Sequence, residues 1–287
     1  MECLSARAVR VGDEMKGGDP VQKKMEEVAV YIQQHVHDGL SLEDLARQFH
    51  YSPYHLSRTF KKEMGYSIKE YMEALKIKGS IDHLVLNPQK ITDTALDYGY
   101  SSPTTFSATF KRHTGLAPKK FIRESTLSYR FLQTFLTQKE VLVHREKQVV
   151  TNNRLSVKLI YPDDYQPHIS CVGLFKSRIP KENPIVGAAM SQVLTCVFDN
   201  VPNGSYYLLA CELLENLSFK QTYVLDENFR QGPVQMLHFS GDTQLHFELN
   251  MRRPIASDPP ITMNVPRLVK QRLMDKLNSP FGKTRKN

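Results

Sequence analysis

The stretch that decides the fold occurs twice: residues 52–65 read SPYHLSRTFKKEMG and residues 102–115 read SPTTFSATFKRHTG. At an offset of 50, eight of the twenty positions from 52 to 71 are identical. Unrelated sequence of average composition gives about one identity over that length. Upstream the similarity continues at an offset of 49, so the second copy has one extra residue in its turn. Such a repeat indicates one structural unit used twice.

Each copy predicts two helices joined by a tight turn. In the first copy, Ser41 precedes LEDLARQF, whose apolar residues recur at i, i+3, i+4 and i+7. A second helix begins at Ser52-Pro53, because serine suits the N-cap and proline the first turn, and it ends at Gly65. Ser102-Pro103 and Gly115 mark the same two ends in the second copy. The pattern predicts a pair of helix-turn-helix motifs.

The outward face of the second helix in each copy carries side chains suited to a DNA groove. These are Tyr54, Ser57, Arg58 and Lys61 in the first copy and Thr104, Ser107, Ala108 and Lys111 in the second. Polar side chains near the start of a helix in the major groove reach base edges, and later cations reach phosphates. For one copy alone, a solvated polar face explains the pattern equally well. Duplication with the same polarity favours DNA binding.

Residues 21–125 resemble the DNA-binding domain of the AraC/XylS family of bacterial transcription regulators. The resemblance rests on LEDLARQFHYSPYHLSRTFKKEMGYSIKEY and ITDTALDYGYSSPTTFSATFKRHTGLAPKKF. It implies seven helices, of which a central one at about 67–86 holds recognition helices at about 52–64 and 102–114 in adjacent major grooves of double-stranded DNA. It also implies base contacts from Tyr54, Ser57, Arg58, Thr104, Ser107 and Ala108, and phosphate contacts from Lys61, Lys62, Lys111 and Arg112.

Three positions depart from the family's pattern. Ala108 stands where relatives often carry a polar or basic base-reading residue, and it can offer only a methyl contact. We therefore expect the first copy, with Tyr54 and Arg58, to choose the sequence and the second to help hold it. Lys76 stands where arginine is common. Gly79 lies inside the central helix, where glycine costs up to about 1 kcal/mol relative to alanine, so it serves either close helix packing or flexing between the two motifs.

The composition narrows the class of protein. The 287-residue chain has a net charge of +8, which favours an acidic partner such as nucleic acid. No apolar run approaches the roughly 18 residues of a membrane span, and no leader peptide is recognisable. Cys3, Cys171, Cys196 and Cys211 lack metal-site spacing and are interpreted as reduced thiols of a cytoplasmic protein. The sequence predicts no catalytic residues, no metal and no cofactor.

The remaining sequence divides by composition. We expect a flexible N-terminus at 1–20, a helical connector at 126–152 that alternatively serves dimerisation, a β-rich domain at 153–268 and a basic tail at 269–287. The β-rich domain is predicted to be an antiparallel, sandwich-like all-β fold. An α/β ligand-binding fold of the gyrase-inhibitor-like type is the alternative. The turns at 199–204 and within 238–247 each predict a β-hairpin.

Two classes of function follow from these predictions. The first is a sequence-specific transcription regulator whose β-rich domain binds a small-molecule effector or a partner, such as RNA polymerase or a second copy of the chain. The second is an architectural DNA-binding protein whose β-rich domain is only an interaction module. An enclosed apolar pocket with a few convergent polar groups would favour effector binding. An enzyme is not predicted.

Overall fold

The computed structural model describes residues 8–11, 19–86, 90–213, 219, 222–232, 235–255 and 257–278. The helices are α1 (Pro20–His35), α2 (Leu42–Gln48), α3 (Pro53–Met64), α4 (Ile68–Leu86), α5 (Ile91–Asp97), α6 (Pro103–Thr114), α7 (Pro118–Leu136) and α8 (Val265–Asn278). The strands are β1 (Ala8–Val11), β2 (Glu140–Arg145), β3 (Arg154–Ile160), β4 (Ile169–Phe175), β5 (Val186–Ser191), β6 (Thr195–Asp199), β7 (Gly204–Leu213), β8 (Arg230–Gln231), β9 (Leu237–Phe239) and β10 (Gln244–Asn250). Among these described residues, no helix combines the length and the apolar composition that a membrane span requires.

The helical region confirms the predicted arrangement of seven helices, α1–α7, around a central one. The first half of α4 packs into a core with α1, α2 and α3, to which Phe60 and Tyr71 contribute fully buried rings. The second half packs into another core with α5, α6 and α7, where Ile77 meets Phe106 and Phe110. Because α4 belongs to both cores, it fixes the two helix-turn-helix motifs relative to one another.

The structure answers the question about Gly79 in favour of close packing. The Tyr98 hydroxyl donates a hydrogen bond to the Gly79 carbonyl oxygen at 2.7 Å. A Cβ atom at residue 79 would lie 2.6 Å from Tyr98 Cε1, which is closer than two non-bonded carbon atoms approach in proteins. The glycine therefore lets the ring of Tyr98, just after α5, lie directly on the backbone of α4.

The β-rich region confirms the predicted sandwich. One sheet has the strand order β1-β10-β3-β6, and the larger has the order β2-β5-β4-β7-β8, with β9 also paired to β7. Side chains from both sheets, including Leu159, Leu174, Phe198, Leu208 and Phe247, meet in one apolar core. Most pairs are antiparallel as expected, but β10 runs parallel to both β1 and β3.

Both predicted hairpins are wrong, because their strands pair in different sheets. β6 pairs with β3 whereas β7 pairs with β4, so residues 200–203 cross from one sheet to the other. Likewise, β9 pairs with β7 and β10 with β3. The buried Asn153 holds both crossings: its amide nitrogen donates to the Val201 carbonyl at 2.8 Å, and its amide oxygen accepts from the Gly241 and Thr243 backbone N–H groups, both at 2.9 Å.

The predicted domain boundaries also need correction. Helix α7 runs unbroken through residue 125, and the second half of the predicted helical connector 126–152 contains strand β2 rather than helix. The predicted tail 269–287 begins inside α8, whose Val269 and Leu273 are buried against α7 and the larger sheet. Of the predicted flexible 1–20 segment, residues 8–11 form β1. Residues 1–7, 12–18 and 279–287 lie outside the described residues.

The β-rich domain contacts the end of the first recognition helix, α3. It does so through two bridging segments, residues 177–184 and 257–263. Arg178 Nη1 donates to the Met64 carbonyl oxygen at 3.5 Å, and the Tyr66 hydroxyl donates to the Ser257 carbonyl oxygen at 3.3 Å. Ile179 is buried in the same core as Met64 and Tyr66. The sandwich and the helical domain therefore share apolar packing as well as hydrogen bonds.

The same bridging segments contact the end of α6 through His113, which is only 1% exposed. His113 Nδ1 lies 3.0 Å from Thr262 Oγ1, and the His113 carbonyl oxygen accepts from Glu182 N–H at 2.9 Å. On the other side of the ring, Nε2 lies 2.9 Å from Glu73 Oε1 on α4. The hydrogen bond with His113 and the weaker effect of the one from Arg112 lower the pKa of Glu73 from its ordinary 4.5 to about 2. Burial of the carboxylate acts in the opposite direction but does not offset them.

We predict that Gly79→Ala destabilises the protein although alanine is the better helix former. Overpacking against Tyr98 costs about 1–3 kcal/mol, which outweighs the gain in helix propensity of up to about 1 kcal/mol. In a Tyr98→Ala background the ring is absent, so the same change should stabilise. Urea unfolding of the four proteins measures this. A destabilisation of equal size in both backgrounds would contradict the packing role of Gly79.

We predict that Glu73→Gln lowers the free energy of unfolding at pH 7 by about 1–3 kcal/mol, because charged hydrogen bonds to His113 and Arg112 are lost. Folding depresses the pKa of Glu73 from 4.5 to about 2. Its contribution is therefore fully present above about pH 4.5 and is lost as the pH falls towards 2. The difference between wild type and variant should shrink over that range. Urea unfolding at several pH values, with Glu43→Gln on the exposed side of α2 as control, tests this, and a pH-independent difference would contradict it.

Candidate DNA-binding surface

The first recognition helix, α3, forms where the sequence predicts it and for the predicted reasons. Ser52 is its N-cap, and the Ser52 side chain accepts from the backbone N–H of His55 at 3.3 Å. Pro53 occupies the first turn, where its missing N–H costs nothing. Leu56 and Phe60 face the core and are fully buried. Burial of this apolar stripe forces the opposite side of α3 towards solvent.

The second recognition helix, α6, repeats this construction. The Ser102 side chain accepts from Thr105 N–H at 3.2 Å, and Pro103 again occupies the first turn. Phe106 and Phe110 are fully buried. Both helices end at a glycine in the left-handed conformation, Gly65 at φ 78° and Gly115 at φ 76°, which a side chain would disfavour. The internal repeat of the sequence is therefore a repeat of local structure down to the caps.

The six residues predicted to read bases lie at matching positions on the two helices. Tyr54 is 77% exposed, Arg58 is exposed and Ser57 is half-buried. On α6 the order is the same: Thr104 and Ala108 are exposed, and Ser107 is half-buried. Positions i, i+3 and i+4 share one side of a helix, so each set forms one outward stripe. The structure places these side chains on the outward face of each helix; their contacts with bases stay a prediction.

The four predicted phosphate contacts, Lys61, Lys62, Lys111 and Arg112, are all exposed in the last turns of α3 and α6. Two of them have acidic partners. Lys62 Nζ lies 3.1 Å from Glu63 Oε1, and Arg112 Nη2 lies 2.7 Å from Glu73 Oε2. The cations of both pairs are exposed although their carboxylate partners are partly buried, so a phosphate would compete with these carboxylates for each cation. Arg112 has the additional structural role of supporting Glu73.

Sequence reasoning missed His113, the residue that ties α6 to both α4 and the β-rich domain. A signal was present in the spacing. His113 follows Phe106 by seven positions and Phe110 by three, which places it on the buried stripe of the helix. Its partner Thr262 lies 149 residues away in sequence, so no local pattern could identify it.

Comparison with known proteins agrees with this geometry for part of the chain. A family model described as a helix-turn-helix domain matches residues 45–124. An uncharacterized HTH-type transcriptional regulator of Staphylococcus aureus strain MSSA476 is 34% identical over 98 residues, which make up 34% of this chain and 13% of that protein. The bifunctional transcriptional activator/DNA repair enzyme AdaA of Bacillus subtilis strain 168 is 33% identical over 100 residues, which cover 35% of this chain and 47% of AdaA. The chain thus spans less than half the length of these relatives.

Two solved structures resemble the same region. The C-terminal domain of AraT, a response regulator from Geobacillus stearothermophilus, is 28% identical with a TM-score of 0.33, covering 37% of this chain and 85% of that one. A Chromobacterium violaceum transcriptional regulator, described as one of the AraC-type DNA-binding domain-containing proteins, is 25% identical with a TM-score of 0.34, covering 36% of this chain and 92% of that one. The family match shows that residues 45–124 of this chain form a helix-turn-helix domain, within the region whose sequence resembles the AraC/XylS DNA-binding domain.

Proposed function

We propose that this protein is a sequence-specific transcription regulator that reads two adjacent major grooves of double-stranded DNA with α3 and α6. One observation carries the proposal: two helices with the same caps and the same exposed positions are fixed on one chain by a shared central helix. The 19 residues of α4 span about 28 Å at about 1.5 Å per residue. That length is comparable to the roughly 34 Å repeat of the major groove.

The two recognition helices have unequal roles in this proposal. Arg58 on α3 can pair with guanine through two hydrogen bonds, which is the commonest specific contact in protein–DNA complexes. The equivalent residue on α6, Ala108, offers a methyl group that can touch only another apolar group. Helix α3 therefore supplies most of the choice of sequence. Helix α6 contributes mainly affinity, through Lys111 and the contacts of its first turn.

The β-rich domain is proposed to bind an effector or a partner, with RNA polymerase or a second copy of the chain as the protein candidates. Its bridging segments touch the ends of both recognition helices, which supports a regulatory role over a purely architectural one. We propose no enzymatic activity, because the sequence lacks a catalytic constellation. The curated relatives are named as transcriptional regulators, one of which is also named as a DNA repair enzyme.

We predict that Arg58→Ala weakens binding to the preferred duplex by about 1–3 kcal/mol and relaxes the choice of base at one position, because a bidentate contact is lost. The preferred duplex comes from repeated selection with the full chain on a random DNA pool. Binding is then measured on this duplex and on a scrambled one.

The control for this experiment is Arg154→Ala on β3, which removes the same charge from the sandwich rather than from α3. It should leave both affinities nearly unchanged. An equal loss on the preferred and scrambled duplexes with Arg58→Ala would show that Arg58 contacts a phosphate instead of a base. Failure of the selection to yield any shared motif would overturn the proposal of sequence-specific binding itself.

We predict a steep loss of DNA affinity with added salt, because the exposed cations of α3 and α6 release counterions when they neutralise phosphates. The logarithm of the binding constant should fall linearly with that of the salt concentration, with a slope of about −0.9 for each phosphate contacted. Lys111→Ala should reduce the slope by about one and weaken all duplexes alike. A slope that does not depend on Lys111 would remove it from the phosphate contacts.

A further inference from the structure

A cavity of about 70 Å³ lies on the outer face of the larger sheet, opposite the sandwich core. Its floor is formed by alternate residues of β4, β5 and β7, among them Cys171, Ala189 and Leu209. Its walls are α8 and the two bridging segments, which contribute Pro180 and Ile261. The cavity thus lies between the larger sheet of the β-rich domain and the two bridging segments that contact the helical domain.

Two glycines in the floor face each other across the sheet, and Pro184 packs onto both. His144 on β2 pairs with Gly187, Gly187 pairs with Gly173, and Gly173 pairs with Leu209, so these residues form one row on the same face. The loop after β4 folds back onto the glycines. A Cβ atom at residue 187 would lie 2.7 Å from Pro184 Cγ. The row therefore places a single imidazole at one end of a mostly apolar depression.

Two polar side chains of the lining have nitrogen atoms without partners among the described residues. His144 is 8% exposed, and neither of its ring nitrogens has a hydrogen bond. Arg272 on α8 pairs through Nη1 with Asp275 at 3.2 Å, while its buried Nε has no partner. By contrast, the carboxylate of Asp258 at the other end is satisfied by Arg252 at 2.7 and 2.8 Å. Unpaired buried donors are costly, so they mark where a ligand gains most.

The unsatisfied groups select a ligand that accepts hydrogen bonds. Burial lowers the pKa of His144 to about 4, and the nearby cations Arg272 and Arg267 act in the same direction against Glu146 and Asp275. At neutral pH the ring is therefore uncharged and offers one donor. The guanidinium of Arg272 supplies the positive charge, and its fork of N–H groups matches the geometry of a carboxylate.

We propose that this cavity binds a small apolar carboxylic acid, whose carboxylate is held by Arg272 and His144 and whose hydrocarbon part covers Cys171, Ala189 and Leu209. The volume of about 70 Å³ is several times what one water molecule needs, about 10–15 Å³. It is far below the roughly 300 Å³ of sites for larger ligands. A short-chain or single-ring acid fits these limits. Binding of the acid does not depend on the proposed function, whereas an effect of the acid on DNA affinity rests on that function.

The walls of the cavity provide the route from ligand to DNA. Ile261 and Met263 line the cavity, and Thr262 between them lies 3.0 Å from His113 at the end of α6. Thr262 also donates to the Pro180 carbonyl oxygen at 3.2 Å, and Pro180 belongs to the second wall. An acid that binds one arrangement of these walls better than another shifts the equilibrium towards that arrangement, and the difference in affinity sets the size of the shift. The placement of α6 changes with it.

The binding test uses the full chain with butyrate and benzoate as probes. Each is compared with its uncharged analogue, butyramide or benzamide, by isothermal titration calorimetry and thermal unfolding. We expect at least one acid to bind at least tenfold more tightly than its amide and to raise the unfolding temperature. Equal affinity of acids and amides would show that the cavity does not recognise a carboxylate, and absence of binding by any probe would show that it accepts neither acid. Either result would overturn the proposal.

Two variants test the assignment of the carboxylate contacts. His144→Leu and Arg272→Met should each remove most of the preference for acid over amide. His144→Leu should remain at least as stable as wild type, because an unpaired buried ring is replaced by an apolar group, so the loss cannot be attributed to unfolding. The exposed residues His238→Leu and Arg130→Met are matched controls and should keep the preference. A preference that survives in both cavity variants would overturn the assignment.

The effect on DNA is tested separately with the selected duplex. A saturating concentration of the bound acid should change DNA affinity at least fivefold in wild type and not in Arg272→Met. A change below twofold in wild type would overturn the effector role of the acid. Whether the cavity binds the acid would still be answered by the calorimetry. If no duplex is selected at all, the proposed function fails, and the binding measurements stand on their own.

Discussion

The position of α6 depends on one buried side chain, His113. Its two ring nitrogens lie within 3.0 Å of Glu73 on α4 and of Thr262 in the β-rich domain. A buried polar group that loses its partner costs more than the pair contributed. The imidazole therefore resists separation from either neighbour. As a result, the orientation of the second recognition helix is set jointly by the helical domain and by the sandwich.

This joint constraint explains why the division of the chain by composition does not match its division in space. Near its start, helix α7 buries Phe121 in the core of the second helix-turn-helix motif, and near its end it buries Phe135 against the larger sheet. Helix α8 packs beside it, and Lys270 on α8 donates to Glu124 on α7 at 3.1 Å. Two shared helices and two bridging segments connect the domains. A ligand or partner at the sandwich thus has several short paths to the DNA-binding helices.

The sequence predicts best what short-range chemistry decides. Ser52, Ser102 and the glycines at 65 and 115 act within one turn of their helices, so the extent of α3 and α6 and their outward faces follow from local patterns. Strand pairing is different. The segment around Asn203 favours a hairpin locally, but the amide of Asn153, about 50 residues away in sequence, binds this turn and holds it as a crossing between sheets. Likewise, no local pattern shows that Thr262 completes the environment of His113.

The unequal sequences of the two recognition helices acquire a physical meaning from the domain interface. The β-rich domain contacts α3 by hydrogen bonds of 3.3 and 3.5 Å around its end, whereas at α6 it binds both the side chain and the backbone of His113, at 3.0 and 2.9 Å. The helix bound through both a side chain and the backbone is the one with Ala108, which offers less base-reading chemistry. In the proposed arrangement, a movement of the bridging segments acts first on α6 and changes affinity. Helix α3 with Arg58 keeps the same sequence preference, so control of occupancy is separated from choice of site.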